Sequence, residues 1–429
     1  MNNILKLTIL SISTIAILVN GCGSRSLDDE YNNNKNAEIN TNSTVIISSD
    51  DSIESESSHL SESSNFAFVD KRFLYALFLS EYLWYEKVET GVETSLFNSP
   101  QEMIDALKYK VYDRWSYAQT QEEYDNFTNQ VSTGSFGFYY NTNFRVIETI
   151  IGSPSEKAGL LRGDILIHIN EKNVTRELIY EPKQYLNEPV EFSVIRNNRV
   201  IKLEMAPAIY QYKVSKYQII ENESGKKIGH LIYDQFTSGS TTEIDEAFNE
   251  FKKSNIDELI IDLRYNGGGA LNSASILLDK IAGYNNDQKL QFYLNYNNRM
   301  QSSNQKYYFE KDENSLSSLK RVFFLTTTDT ASASEVVINS LRSYMDVKLI
   351  GSTTHGKPTG MSGKNYGDYI YWLINFTILN ADDKGEFYGG MLVDCESKDN
   401  INYLRDDVNG NMLKEALYYI KTNSCLSGN

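Results

Sequence analysis

The sequence predicts an α/β multidomain protein, with an N-terminal helical cap, a small β-rich domain and an α/β core. Three observations carry that prediction. Aromatic and apolar residues recur at helical spacing after residue 65, short apolar runs separated by glycine turns fill residues 129–210, and strand-like runs alternate with amphipathic helices from residue 228 onward. The 429 residues suffice for two or three domains. At 41% hydrophobic and 23% charged the composition is that of globular material, and the formal net charge of −16 disfavours a nucleic-acid partner, which needs positive surface.

In chain order, residues 1–21 carry Lys6, then an apolar stretch through Ile17, Leu18 and Val19, then Asn20 and Gly21. This describes a secretory signal, too short for a comfortable membrane span. Val19-Asn20-Gly21-Cys22 resembles the lipobox of bacterial lipoproteins, with Asn20 a slight departure at its second position. The resemblance implies cleavage before Cys22, lipidation of Cys22 and a lipid-anchored place in the bacterial cell envelope, with the outer membrane favoured. The alternative is an ordinary signal peptide with an incidental cysteine. Residues 23–64 hold 12 serines, 9 acidic and 2 basic residues, so the segment 22–64 buries too little apolar surface to order itself and reads as a flexible tether.

Residues 65–128 form the expected helical cap. Phe68, Phe73, Leu74, Leu77, Phe78 and Tyr82 mark one stripe, and Met103, Leu107 and Val111 a second helix begun at Ser99-Pro100. Such a stripe reads as core rather than as a cofactor box.

Residues 129–210 contain strand-like runs at 144–151, 164–169 and 190–195. Between the first two, Ser153 can cap a short helix with Pro154 at its first position, and Gly159 can end it. The succession "SPSEKAGL", "RGDIL" and "IN" resembles a PDZ domain. That resemblance implies capture of a peptide C-terminus by strand addition, its carboxylate meeting backbone N–H groups of a glycine-containing loop. Gly134, Phe136 and Gly137 lie where that loop would sit, although a plain glycine turn accounts for them equally well. His168 alternates with apolar strand residues and reads as a surface or core histidine.

The segment 211–429 is the expected core. A strand over 228–236, a helix bearing Ile244, Ala247, Phe248 and Phe251, and a buried strand over 258–264 precede Asn266-Gly267-Gly268-Gly269 and a helix with Leu271, Ala274, Leu278 and Ile281. The glycine turn lacks the Lys-Ser/Thr of a P-loop and the spacing of a dinucleotide loop, which leaves exposed backbone N–H groups as its usable chemistry. A third strand, Arg321–Leu325, leads to Ser332 and a helix through Val337, Leu341 and Tyr344. Ser332 with Glu335 is a capping box taken alone. A hydroxyl at a helix N-terminus also suits a nucleophile, because the free N–H groups there can stabilise an oxyanion. Twenty-five residues on, Lys357 stands between Gly356 and Pro358.

"DLRYNGGG", "TASASE" and "GK", in this order, resemble the catalytic domain of the C-terminal processing (tail-specific) serine peptidases, over about residues 129–395. The resemblance implies a ClpP/crotonase-like peptidase core with Ser332 as nucleophile and Lys357 as general base. The N–H groups of Ala333 and a glycine of the loop, Gly268 foremost, would form the oxyanion hole. Lys357 must then be neutral when it takes the proton, through burial or a nearby positive charge. Ser334 is the competing hydroxyl and His355 an alternative base. Many members carry glutamine four residues after the lysine, where this chain has Met361, so the third catalytic role is unassigned. No histidine or cysteine spacing suggests a metal, and no cofactor is expected.

Residues 370–379 form an apolar strand, 388–394 resemble the stretch that closes this core, and 411–421 form a helix. Cys395 and Cys425 flank that helix, and in an exported protein they are expected to pair, the alternative being two free thiols. With Cys22 lipidated, the odd count of three cysteines divides into one and two. The expected function is a lipid-anchored serine endopeptidase that cleaves unstructured or C-terminal segments of proteins. The alternative is a catalytically silent peptide-binding lipoprotein. A structural envelope protein is disfavoured by the retained Ser332 and Lys357.

Overall fold

The computed structural model describes residues 66–180 and 186–426. The signal, Cys22 and the tether lie outside the described residues.

The N-terminal segment contains α1 (Phe68–Ser80), α2 (Pro100–Leu107), β1 (Tyr117–Thr120) and α3 (Gln121–Thr128). Helix α2 starts as its sequence dictates. Ser99 Oγ accepts the Glu102 N–H at 3.2 Å, and Pro100, which has no N–H to satisfy, takes the first position. Leu74, Phe78, Met103 and Ile104 share one buried cluster. Two members of the expected stripes fall outside it. Phe68 is exposed at the first position of α1. Val111 is 65% exposed because α2 ends at Leu107, where Lys108 turns to extended backbone.

The β-rich unit contains β2 (Phe138–Tyr140), β3 (Val146–Thr149), α4 (Pro154–Lys157), β4 (Ile165–Ile169), β5 (Lys172–Asn173), α5 (Arg176–Tyr180), β6 (Val190–Arg196) and β7 (Arg199–Met205). The antiparallel pair β2–β3 stands beside an antiparallel sheet of order β5-β4-β6-β7. Its core is Phe136, Val146, Leu160, Leu166, Ile169, Val190, Phe192 and Val194. Ser153 Oγ caps α4 by accepting the Glu156 N–H at 3.1 Å.

The α/β core follows with β8 (Ser215–Glu221), β9 (Lys227–Tyr233), α6 (Ser240–Ser254), β10 (Glu258–Asp262), α7 (Leu271–Leu278), β11 (Leu290–Tyr296) and β12 (Gln305–Tyr308). Then come β13 (Arg321–Thr326), α8 (Ala333–Leu341), β14 (Asp346–Gly351), β15 (Thr359–Tyr366), β16 (Tyr369–Asn380), β17 (Cys395–Glu396) and α9 (Asn411–Thr422). The central sheet has the order β17-β14-β13-β10-β9-β8, parallel except for β8. Strand alternation gives it two apolar faces. Leu231, Leu259, Ile261, Val322, Phe324 and Leu349 meet α6, α7 and α8, while Ile228, Ile260, Phe323, Leu325 and Ile350 meet α9. The helix expected to run through Ile281 is α-helical only to Leu278. It continues as a π-turn, Asp279–Gly283, where Asp279 Oδ1 accepts from Gln291 Nε2 and Glu310 N at 2.8 Å each.

A second, antiparallel sheet has the order β1-β16-β11-β12, with β15 also on β16. Tyr117 pairs with Trp372 and Thr120 with Tyr369, so β1 is sewn onto a strand some 250 residues later. The N-terminal helices pack on the same strand through Tyr371, Trp372 and Ile374. Cys395 and Cys425 form a disulfide that fastens the end of α9 to β17. Among the described residues no helix is long and apolar enough to cross a membrane.

Candidate active site

Three loops at the ends of central strands meet at one place. The first follows β13 and carries Ser332, the N-cap of α8, in a backbone conformation of φ 58°, ψ −118°. A positive φ is uncommon for a residue with a side chain and persists only where the surroundings enforce it. Here they do. Thr330 N donates to Thr327 O at 3.0 Å, Thr330 Oγ1 to Leu263 O at 2.7 Å, Ala331 N to Asn266 O at 3.1 Å and Val336 N to Ser332 O at 2.9 Å.

The second loop is Asn266–Gly269, after β10. A Cβ built on Gly268 would stand 2.7 Å from Ser332 Cβ and 2.9 Å from Ala333 N, so only glycine lets the loop back directly onto the serine. The Gly268 N–H donates to Asn266 Oδ1 at 2.9 Å and is therefore engaged. Ala333 begins α8, so its N–H has no acceptor within the helix. Ser334, the competing hydroxyl, is fully buried and donates to Asn266 O at 3.0 Å.

The third loop joins β14 to β15 and carries Lys357. Glu335 connects it to the first. Its carboxylate accepts from Ser332 N at 2.9 Å and Lys357 N at 2.8 Å on Oε2, and from Gly356 N at 2.7 Å and Thr354 Oγ1 at 2.6 Å on Oε1. Burial pushes the Glu335 carboxyl above its ordinary range, against the pull of these four hydrogen bonds. Thr354 Oγ1 in turn accepts from Met391 N at 2.7 Å, tying in the 388–394 stretch. Ser332 is 7% and Lys357 2% exposed.

His355 is spoken for. Its Nδ1 lies 3.1 Å from Thr328 O and its Nε2 accepts from Trp115 Nε1 at 3.2 Å, so both ring nitrogens are occupied and neither is turned to Ser332 as a base. Trp115 also lies under Lys357, whose Nζ is 5.7 Å from the ring centroid. No sequence signal pointed to Trp115, because it reaches the site across 240 residues of chain. Glu335 was legible as a helix cap, while its second role needed Lys357 to be brought alongside. Met361 is buried in the same apolar cluster as Leu74, Phe78, Met103 and Tyr371.

The loop residues Gly134, Phe136 and Gly137 sit in the β-rich unit. The Phe136 ring is buried against Phe192, with centroids 4.8 Å apart, so any contact it makes with a ligand is through backbone. A Cβ on Gly137 would collide with Ser153 and Tyr210 at 2.2 and 2.3 Å. The only three-residue cluster of metal-ligating type among the described residues is Cys395, Glu415 and Cys425, and its two sulfurs are bonded to each other.

Residues 227–384 match the model of peptidase family S41, and residues 70–117 match that of the peptidase S41 N-terminal domain. The carboxy-terminal processing protease CtpA of Bacillus subtilis (strain 168) is 26% identical over 282 residues, covering 62% of this chain and 56% of that protein. A Staphylococcus aureus (strain N315) protein named "Probable CtpA-like serine protease" is 25% identical over 278 residues, covering 62% of this chain and 53% of its own length. The chain thus spans about half the length of the curated relatives it matches. A solved structure from Bacteroides fragilis, classed with the S41 proteases, superposes with a TM-score of 0.70 at 23% identity, covering 82% of this chain and 97% of that one. At that identity the likeness bears on the fold alone.

Proposed function

The chain belongs to peptidase family S41, and from that premise we propose that it is a serine endopeptidase acting on unstructured or C-terminal segments of proteins, with Ser332 and Lys357 as its catalytic dyad. One observation carries the reading. The Glu335 carboxylate accepts the backbone N–H of both Ser332 and Lys357 on Oε2, so two residues 25 apart are held to the same oxygen.

The chemistry follows from that arrangement. Neutral Lys357 takes the Ser332 hydroxyl proton as Oγ bonds to the scissile carbonyl carbon. The oxyanion meets the Ala333 N–H at the start of α8, and the Gly268 N–H joins it by exchanging Asn266 Oδ1 for the developing charge. The lysine ammonium then protonates the leaving amine as the C–N bond breaks, and water, deprotonated by Lys357, attacks the acyl carbon, the lysine returning that proton to Ser332 Oγ as the ester bond breaks. Burial of Lys357 favours its neutral form before attack.

Residues 129–210 serve, on this proposal, as a PDZ module. Support comes from the glycine loop at 134–137 and from β2, which pairs only with β3 among the described strands. Cys22 is proposed as a lipid anchor to the cell envelope, on its lipobox-like sequence. Cys22→Ser should then move the protein from the membrane to the soluble fraction, and unchanged fractionation counts against the anchor.

A second reading, a silent peptide binder, is motivated by Met361, which stands where many members of the family carry glutamine. Incubation of purified protein with an unfolded, C-terminally tagged substrate separates the two. Cleavage that disappears in Ser332→Ala and Lys357→Ala supports the peptidase, cleavage undiminished in both rejects the dyad, and peptide binding without cleavage supports the binder.

A further inference from the structure

We propose that Trp115 is the positioning residue for Lys357, its indole face holding the lysine amine toward Ser332. The proposal rests on Ser332 and Lys357 being the dyad.

Lys357 Nζ lies 5.7 Å from the Trp115 ring centroid, within the range where a ring face attracts a cation. The ring is fixed from two sides. Its Nε1–H donates to His355 Nε2 at 3.2 Å, and His355 is oriented by its own Nδ1 at 3.1 Å from Thr328 O. The Trp115 backbone N–H donates to Asp113 Oδ1 at 3.0 Å, and Asp113 is buried and accepts from Tyr82 OH at 2.7 Å. A Thr328–His355–Trp115 relay of contacts thus gives the two residues left out of the dyad a common task.

The chemistry makes this contact more than packing. When Ser332 attacks, its proton passes to Lys357, and Nζ becomes a cation. An aromatic face holds that cation more strongly than the neutral amine, so the contact strengthens as the transition state forms. The Arg114 guanidinium also lies against this ring, 5.1 Å from its centroid. The other charged or titratable groups around the stack are His355, Asp329 and Glu335, and the substitutions below alter none of them.

The test is the rate at which a fluorophosphonate labels Ser332 between about pH 6 and pH 10, with Ser332→Ala as the blank. Trp115→Leu keeps water out but has no ring face. It is expected to label on the order of 3- to 30-fold more slowly on the alkaline plateau, with its midpoint moved to lower pH. Trp115→Phe keeps the face and is expected to hold the wild-type midpoint and most of the rate. Biosynthetic fluorination of tryptophan preserves shape while draining the ring face, and is expected to slow labelling in step with the number of fluorines. A wild-type rate and midpoint in Trp115→Leu, an equal defect in Trp115→Phe, or no trend with fluorination overturns the proposal. Absence of labelling in the wild type at every pH removes the dyad itself, an outcome distinct from the other three.

Discussion

Glu335 shows how one side chain can serve a fold and a site at once. As a helix cap it satisfies the Ser332 N–H, and with its remaining lone pairs it fixes the backbone of the lysine loop. Ser332 is then held at φ 58° by bonds on either side rather than by its own preference. The most exacting neighbour is Gly268, which combines φ +105° with a position where an added Cβ would stand only 2.7 Å from Ser332 Cβ. Gly268→Ala is expected to slow fluorophosphonate labelling by at least about tenfold, since a small misplacement of a reacting atom is enough to do so. Ser334→Ala, which removes only a hydroxyl pointed at Asn266 O, is expected to label within a few-fold of wild type. A wild-type rate in Gly268→Ala would mean that the glycine loop does not constrain the serine.

At the scale of elements, neighbouring strands β9 and β10 bury a titratable pair. His230 lies opposite Ile260 in the register, and its Nε2 is 4.0 Å from Asp262 Oδ2. Burial lowers the His230 pKa from 6.5 to about 4, with Asp262 pulling the other way and Arg264 and Arg405 adding to the fall. Since the folded value is the lower one, the unfolded chain binds the proton more tightly between these two values. The contribution to stability is therefore intact above about pH 6.5 and lost as pH falls toward 4, up to roughly 3 kcal/mol in all. Between pH 7.5 and pH 5, wild type is expected to lose about 2 kcal/mol more than His230→Gln in denaturant melts. Equal losses in the two proteins would show that His230 does not titrate in this window.

Across the whole molecule, a chain of buried charges joins the β-rich unit to the core. Arg162, from the turn before β4, pairs with Asp399 at 2.6 Å, donates to Tyr403 O at 2.8 Å and to Tyr265 OH at 3.0 Å. Asp399 also pairs with Arg264 at 2.5 Å, and Arg405 pairs with Asp262 at 3.1 Å and with Asp234. Buried charges are tolerated only because each is answered by another. Arg162→Ala leaves Asp399 its second partner, so the core should stay intact while the docking of residues 129–210 weakens. Hydrogen exchange in β2 and β3 is expected to quicken by an amount equivalent to roughly 1–3 kcal/mol, with β10 and β13 unchanged. Unchanged exchange in β2 and β3 would show that this arginine does not hold the unit in place.

Local pattern was enough to read the alternating strands and helices of the core and the caps at Ser99 and Ser153, because period, capping and turn chemistry are written in neighbouring residues, whereas the candidate pair Ser332 and Lys357 came from the resemblance of three motifs to a peptidase family. The helix expected to reach Val111 and the α-helical turn expected at Ile281 failed for the complementary reason. At each end the chain meets partners distant in sequence, Tyr109 N donating to Tyr82 OH and Asp279 Oδ1 accepting from Gln291 and Glu310, which spacing does not report. By itself the sequence determined which residues could carry chemistry. Only the tertiary structure decided that Trp115 and His355 are turned toward each other, that Ser334 is turned away, and that β1 shares a sheet with β16. Those outcomes depend on contacts between segments 68 to more than 250 residues apart, and a periodicity or motif reports only on the chain that contains it.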